Sequence, residues 1–193
     1  MYKKIFFILM FMGYGNVAFA TYQSADKLIY NNSEYSLYSN PLEMYFKSKN
    51  IKEHKFNCKA YMVIFETCIE RSSNWRGYIA SWVIEDDVLY LKKIKNLSRE
   101  SINLAEMFGN KYKHKKVEAR WYSGKLKISN GALLKSISMG YGSIYEEDIF
   151  LEIKFGKVTG KRVVDNTKKP LPTDNTLFNS EASKAIEIGT LKK

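Results

Sequence analysis

The chain reads as a mainly β protein on the border of α+β: an antiparallel meander curling into a sandwich or partial barrel, with one or two short helices. Three observations carry that reading. Short runs rich in β-branched and aromatic residues recur along most of the length, Gly and Asn punctuate them, and few stretches carry a helix-start signature. The length suits one domain with its own core, and no internal repeat or second apolar span is present.

The opening segment stands apart. Met1-Tyr2-Lys3-Lys4 is cationic, Ile5 to Met12 is apolar, and Ala18-Phe19-Ala20 is a small-x-small site before Thr21. That order predicts a signal peptide over 1–20, removed near Ala20, and an exported protein, periplasmic or extracellular. The apolar run is well short of the roughly 20 residues a spanning helix needs, so no transmembrane helix is expected in the mature chain.

Next, Lys27–Tyr30 and Glu34–Tyr38 flank Asn31-Asn32-Ser33, a hairpin pattern, because Asn tolerates positive φ. Asn40-Pro41-Leu42-Glu43 predicts a helix over 41–48, with Asn40 as N-cap, Pro41 at its first position and Glu43 at N3. Leu42, Tyr45 and Phe46 share its apolar face. Residues 51–55 read as a loop and Ala60–Phe65 as apolar strand. Trp75–Ile84 and Val88–Ile94 across Glu85-Asp86-Asp87 form the strongest hairpin signal. Ser98 is placed to cap a helix over 101–108 ended by Gly109. Val117–Trp121, Lys125–Ile128, Ala132–Ile137, Asp148–Lys154 and Lys157–Val164 then read as strands, with turns at Ser123-Gly124, Asn130-Gly131, Gly140-Tyr141-Gly142 and Phe155-Gly156. The domain is therefore set at 21–165. Lys168-Lys169-Pro170-Leu171-Pro172 opens a polar linker and tail over 166–193, with a marginal helix at 181–188.

The formal charge is +11, and it falls to +9 if Lys3 and Lys4 leave with the signal segment, which holds no acid. A basic exported chain meets anionic lipids and wall polymers first, so an anionic envelope component or another protein is the expected partner and nucleic acid is not. Oligomeric state is left open. Cys58 and Cys68 are the sole cysteines, and export permits a disulfide between them. On one straight strand their sulfurs would stand about 33 Å apart, so a bridge requires the chain to reverse between them. Two buried free thiols are the other reading.

Aromatic residues make up 15% of the chain, and several adjoin basic residues or glycine. Trp75, Arg76 and Tyr78, then Arg120, Trp121 and Tyr122, and finally Tyr141 are the candidates for a ligand face, with rings stacking on flat groups and arginine pairing with carboxylate or phosphate. The other reading is that Trp75, Trp82 and Trp121 fill the core of a small β domain, with the glycines marking bulges. Lys111-Tyr112-Lys113-His114-Lys115-Lys116 is the densest positive cluster. On a strand, Lys111, Lys113 and Lys115 would share one side, either as an anion-docking row or as guards of an exposed edge. Catalytic signals are thin. Glu146, Glu147 and Asp148 are neighbouring carboxylates of the kind glycoside cleavage uses, and also of the kind turns expose. His54 and His114 with the cysteines match neither a thiol-nucleophile motif nor a zinc pattern, and no cofactor or metal is expected. Gly140-x-Gly142 lacks the third glycine of a dinucleotide site.

Trp75-Arg76-Gly77-Tyr78-Ile79-Ala80 with Trp82 and Ile84, Trp121-Tyr122-Ser123-Gly124 with Leu126 and Ile128, and Met139-Gly140-Tyr141-Gly142-Ser143-Ile144-Tyr145-Glu146 form a pattern. It resembles that of an uncharacterised family of small bacterial proteins, over roughly residues 27–165. The resemblance implies no activity, so no catalytic residue follows from it, and the stretch 58–68 lies outside the pattern. The expected function is that of an exported bacterial binding protein without enzymatic activity, engaging an envelope component or protein partner through an aromatic-basic face. The alternatives are an envelope glycan hydrolase using Glu146, Glu147 or Asp148, and a periplasmic toxin-neutralising protein.

Overall fold

Four two-residue turns set the architecture. The computed structural model describes residues 23–50, 58–61, 65–68, 72–137 and 141–172. Asn31-Asn32, Asp86-Asp87, His114-Lys115 and Phe155-Gly156 all take positive φ at both positions. Such turns match the right-handed twist of the strands they join. They close the hairpins β1 (Asp26–Tyr30) with β2 (Ser33–Leu37), β5 (Tyr78–Glu85) with β6 (Val88–Asn96), β7 (Tyr112–Lys113) with β8 (Lys116–Glu118), and β10 (Ile144–Lys154) with β11 (Lys157–Asp165). With β9 (Gly124–Lys135) these make one nine-stranded sheet in the order β11-β10-β9-β2-β1-β5-β6-β8-β7. Lys157 also pairs with Val88, so the sheet curls into a partial ring. The protein is mainly β, as its sequence predicts. The exception to an antiparallel meander is β1, which runs parallel to β5, a pairing allowed by the long connection between them.

That connection holds the helix α1 (Pro41–Lys49) and a separate hairpin, β3 (Cys58–Tyr61) with β4 (Phe65–Cys68). The sequence reads one strand over 60–65; Ala60 and Tyr61 instead pair antiparallel with Glu66 and Phe65, and the same register sets Cys58 opposite Cys68. Helix α1 has Pro41 at its start and ends on Asn50 in the left-handed region. The Asn40 side chain does not cap it. Instead Asn40 Oδ1 accepts from the Tyr141 hydroxyl at 3.0 Å, while Glu43 accepts from the Tyr78 hydroxyl at 2.6 Å.

The helix α2 (Leu104–Phe108) is shorter than predicted. Asn103 rather than Ser98 caps it, accepting from the amides of Ala105 and Glu106. Ser101 bridges to Lys95, which holds that stretch against the end of β6. Asn130-Gly131 is no turn either, because β9 runs straight through it as a bulge opposite Glu146. Gly131 has φ +81°, and a Cβ there would collide with the Glu146 carboxylate.

One face of the sheet and the inner face of α1 form the core. Leu28, Leu37, Leu42, Phe46, Trp82, Leu89, Leu91, Leu126, Ile128 and Leu151 are sealed from solvent. Each such side chain contributes roughly 1.5–3 kcal/mol. A buried polar cluster joins them. The Asp26 carboxylate accepts from Arg76 Nη1 (2.9 Å), the Ala80 amide (2.9 Å) and Trp82 Nε1 (3.0 Å), while Arg76 Nη2 donates to the Ser24 carbonyl. No helix among the described residues is long and apolar enough to cross a membrane. The predicted signal segment, the loop at 51–55 and the helix at 181–188 lie outside the described residues. Beyond Asp165 the chain is still anchored: Asn166 bonds to Glu146 and Asp148, and Lys135 Nζ donates to the Pro172 carbonyl.

Candidate functional site

The turn that follows β8 builds the site. Ala119 and Tyr122 are buried, and the Ala119 amide donates to Leu89 while the Tyr122 amide donates to Ala119, both at 2.9 Å. The two residues between them must face outward, Arg120 exposed and Trp121 half-buried. The Trp121 indole N–H donates to the Pro41 carbonyl at 3.0 Å, and its ring stacks on Phe108 (centroids 5.5 Å apart, planes at 18°) and abuts Tyr45 at 5.0 Å. It is a fixed aromatic wall. Burial pushes the Tyr45 hydroxyl above its ordinary pKa, so that group is a neutral donor.

Around this wall lies a cleft of about 510 Å³. Helix α1 supplies Tyr45, Ser48 and Lys49, the 3₁₀ turn Gly109–Lys111 supplies Asn110 and Lys111, and Lys113, Glu118, Arg120 and Trp121 complete it. A second cavity of about 530 Å³ shares Glu118 and Arg120 and is lined beyond them by Lys154, Phe155, Lys157 and Thr159. The two meet because the β10–β11 tip docks tightly: the Gly156 amide donates to Tyr122 and the Gly156 carbonyl accepts from Leu89. A Cβ on Gly156 would stand 2.9 Å from the Ala119 backbone.

The charge is one-sided. Arg120 Nε is tied to Glu118 Oε2 at 2.8 Å, which leaves its two terminal nitrogens with no partner among the described residues. Lys49, Lys111, Lys113, Lys154 and Lys157 likewise have no ion-pair partner there, whereas Lys27, Lys116, Lys125, Lys127 and Lys168 are paired with Glu34, Glu85, Glu152, Asp148 and Asp165. Six cations thus face one carboxylate. Such a cleft attracts anions and offers a fork for carboxylate or phosphate beside an aromatic surface.

Of the residues singled out from sequence, Arg120, Trp121, Lys111 and Lys113 come together here. Lys115 does not join them: it and His114 sit at a turn with φ of +60° and +51°, which breaks the expected strand alternation. Tyr78 is buried, and Arg76, largely enclosed, is spent on Asp26 and lies 5.0 Å from the Tyr78 ring centroid, so they present no ligand face. Trp75, 79% exposed, stands apart from both cavities. Tyr122 is core, its hydroxyl donating to the Lys125 carbonyl at 2.9 Å, and Tyr141 packs edge-on against Tyr38. Tyr45, Lys49, Glu118, Lys154, Phe155 and Lys157 escaped sequence reading. An exposed Phe between lysines at a hairpin tip was the one local hint.

The carboxylate trio lines neither cavity. Glu146 accepts from the Ala132 amide, Glu147 from Asn130, and Asp148 from Ser129, Asn166 and Lys127. Each side chain ties β10 to a neighbouring segment. Among the described residues no three His, Cys, Asp or Glu side chains gather as a metal site. No protein family, curated protein or solved structure matches the chain.

Proposed function

We propose that this is an exported binding protein without enzymatic activity, which holds an anionic component of the bacterial envelope in the cleft centred on Arg120 and Trp121. One observation carries the reading: an arginine held by its Nε, with both terminal nitrogens open, projects beside a fixed indole among lysines that lack partners. An incoming carboxylate or phosphate replaces the water on those nitrogens with a charge-assisted, bidentate contact. The cationic, apolar, small-residue order of the first twenty residues supports export. The hydrolase alternative gains nothing from Glu146, Glu147 and Asp148, which line neither cavity and each hold β10 to a neighbouring segment through at least one carboxylate oxygen.

The test is calorimetric binding of the mature chain to anionic envelope extract at rising salt. Affinity is expected to fall steeply with salt and to be lost in an Arg120→Gln/Lys111→Gln/Lys113→Gln variant. It should survive Lys92→Gln/Lys93→Gln on exposed positions of β6. Equal binding by the cleft variant and the native protein would refute the proposal.

A further inference from the structure

We infer that the two cavities act as one groove, and that its occupant is an acidic oligosaccharide long enough to run from Trp121 past Arg120 to Phe155. The inference rests on the binding reading above and names its ligand. Continuity is built in, since Glu118 and Arg120 line both cavities and their ion pair forms the shared wall. Each end offers an aromatic surface, Trp121 with Tyr45 at one and Phe155, 66% exposed, at the other. Phe155 holds φ +50° at the tip, and the tip is locked in place by the Gly156 contacts with Tyr122 and Leu89. An exposed, rigidly mounted ring costs little entropy to engage a ligand.

The polar groups narrow the chemistry. Glu118 Oε1 has no partner among the described residues and accepts hydroxyl donors, while its charge disfavours a polyanion as densely charged as polyphosphate more than one whose carboxylates stand a sugar ring apart. Asn110 adds a neutral donor and acceptor along the same path, and the hydroxyls of Ser48 and Thr159, which donate to the Tyr45 and Glu152 carbonyls, add acceptors. Hydroxyl groups, apolar ring faces and spaced carboxylates are the features of a uronic-acid chain. Polyphosphate has neither the hydroxyls nor the ring faces, and a lipid surface is too flat to enter a groove.

The experiment titrates the mature chain with oligogalacturonate dimer and hexamer, neutral cellohexaose, inorganic polyphosphate and phosphatidylglycerol vesicles. The hexamer should bind about tenfold tighter than the dimer, cellohexaose should not bind measurably, and polyphosphate and vesicles should bind more weakly than the hexamer. Phe155→Asn/Lys157→Gln, in which Asn tolerates the positive φ, should bring the hexamer down to the dimer's affinity and leave the dimer unchanged. Equal native affinity for dimer and hexamer would overturn the continuous groove while leaving an anion cleft at Arg120. Tighter binding of polyphosphate or vesicles would overturn the saccharide. Binding of none of the anions would overturn this inference and the proposed function together. The comparisons on the native chain decide these points even if the double variant folds poorly.

Discussion

Arg76 and Asp26 meet across the parallel β1–β5 pairing, Nη1 2.9 Å from Oδ1, with the Asp26 side chain fully enclosed and that of Arg76 10% exposed. Burial pushes the Asp26 carboxyl above its ordinary value, while Arg76 and the hydrogen bonds from Ala80 and Trp82 pull it back. Removing Arg76 takes away the strongest pull and leaves an uncompensated buried carboxylate. Arg76→Met should cost about 3–5 kcal/mol near neutral pH. The sign of its pH dependence follows: the folded state then holds the Asp26 proton at pH values where the unfolded chain has released it, so stability returns as the solution is acidified toward the ordinary carboxylate range. Urea unfolding of native protein and variant at neutral and mildly acidic pH measures this. A deficit that stays constant with pH would contradict it.

Gly156 is required by both its φ of +81° and its neighbour. The nearest atoms to an added Cβ are the carbonyl carbon and oxygen of Ala119, which belong to a backbone pinned to Leu89. Gly156→Ala should therefore destabilise by about 2 kcal/mol or more. It should also weaken binding in the second cavity, because the tip carrying Phe155 must lift. Thermal unfolding and hexamer titration on the same variant test the two effects.

Alkaline stability is expected to depend on Tyr122. Burial pushes its pKa to about 12, whereas an unfolded tyrosine ionises near pH 10. Its contribution is present in full below about pH 10 and is lost as the pH rises through about 12. Tyr122→Phe, which loses the hydrogen bond to Lys125, should cost about 1 kcal/mol at neutral pH and make the alkaline decline shallower. The remaining decline includes the share of Tyr78, also raised by burial, next to Asp26 and Glu43. Unfolding followed from neutral to strongly alkaline pH gives both slopes.

Cys58 and Cys68 are direct partners in the β3–β4 register, and directly opposed antiparallel residues have Cα atoms about 4.5–5.5 Å apart, within disulfide range. Protein recovered from an oxidising compartment should carry this bridge, seen as a mass about two units below that of the reduced chain. Reduction should cost roughly 2–3 kcal/mol in the chain-entropy picture.

Asp148 ties β10 to Lys127 and Ser129 on β9 and to Asn166 beyond β11. Asp148→Ala should cost about 2 kcal/mol and leave anion binding unchanged, since it lines neither cavity. Glu147→Gln, at a partly exposed position, should stay within about 0.5 kcal/mol of the native protein. A loss of binding in either variant, with stability intact, would return these acids to the functional site.

Hairpins were legible where turn chemistry is local. Asn31-Asn32 and Asp86-Asp87 announce positive φ, and the flanking runs announce strands. Gly131 misled for the same reason: glycine signals positive φ, and whether that makes a turn or a bulge depends on Glu146 opposite it. His114 and Lys115 gave weaker notice, because lysine does not favour the left-handed region it occupies and a single histidine inside a run of lysines is a faint turn signal.

By itself, then, the sequence determined the β-rich class, most hairpins, the apolar face of α1 and the basic excess, all of which follow from periodicity and short-range backbone preference. The tertiary structure alone decided which aromatic-basic pairs face solvent. Arg76 and Arg120 both stand beside tryptophan, yet Asp26, distant in the chain, draws one inward, while the pinned turn between Ala119 and Tyr122 turns the other outward. A long-range electrostatic partner and the closure of a curled sheet leave no trace in the residues next door.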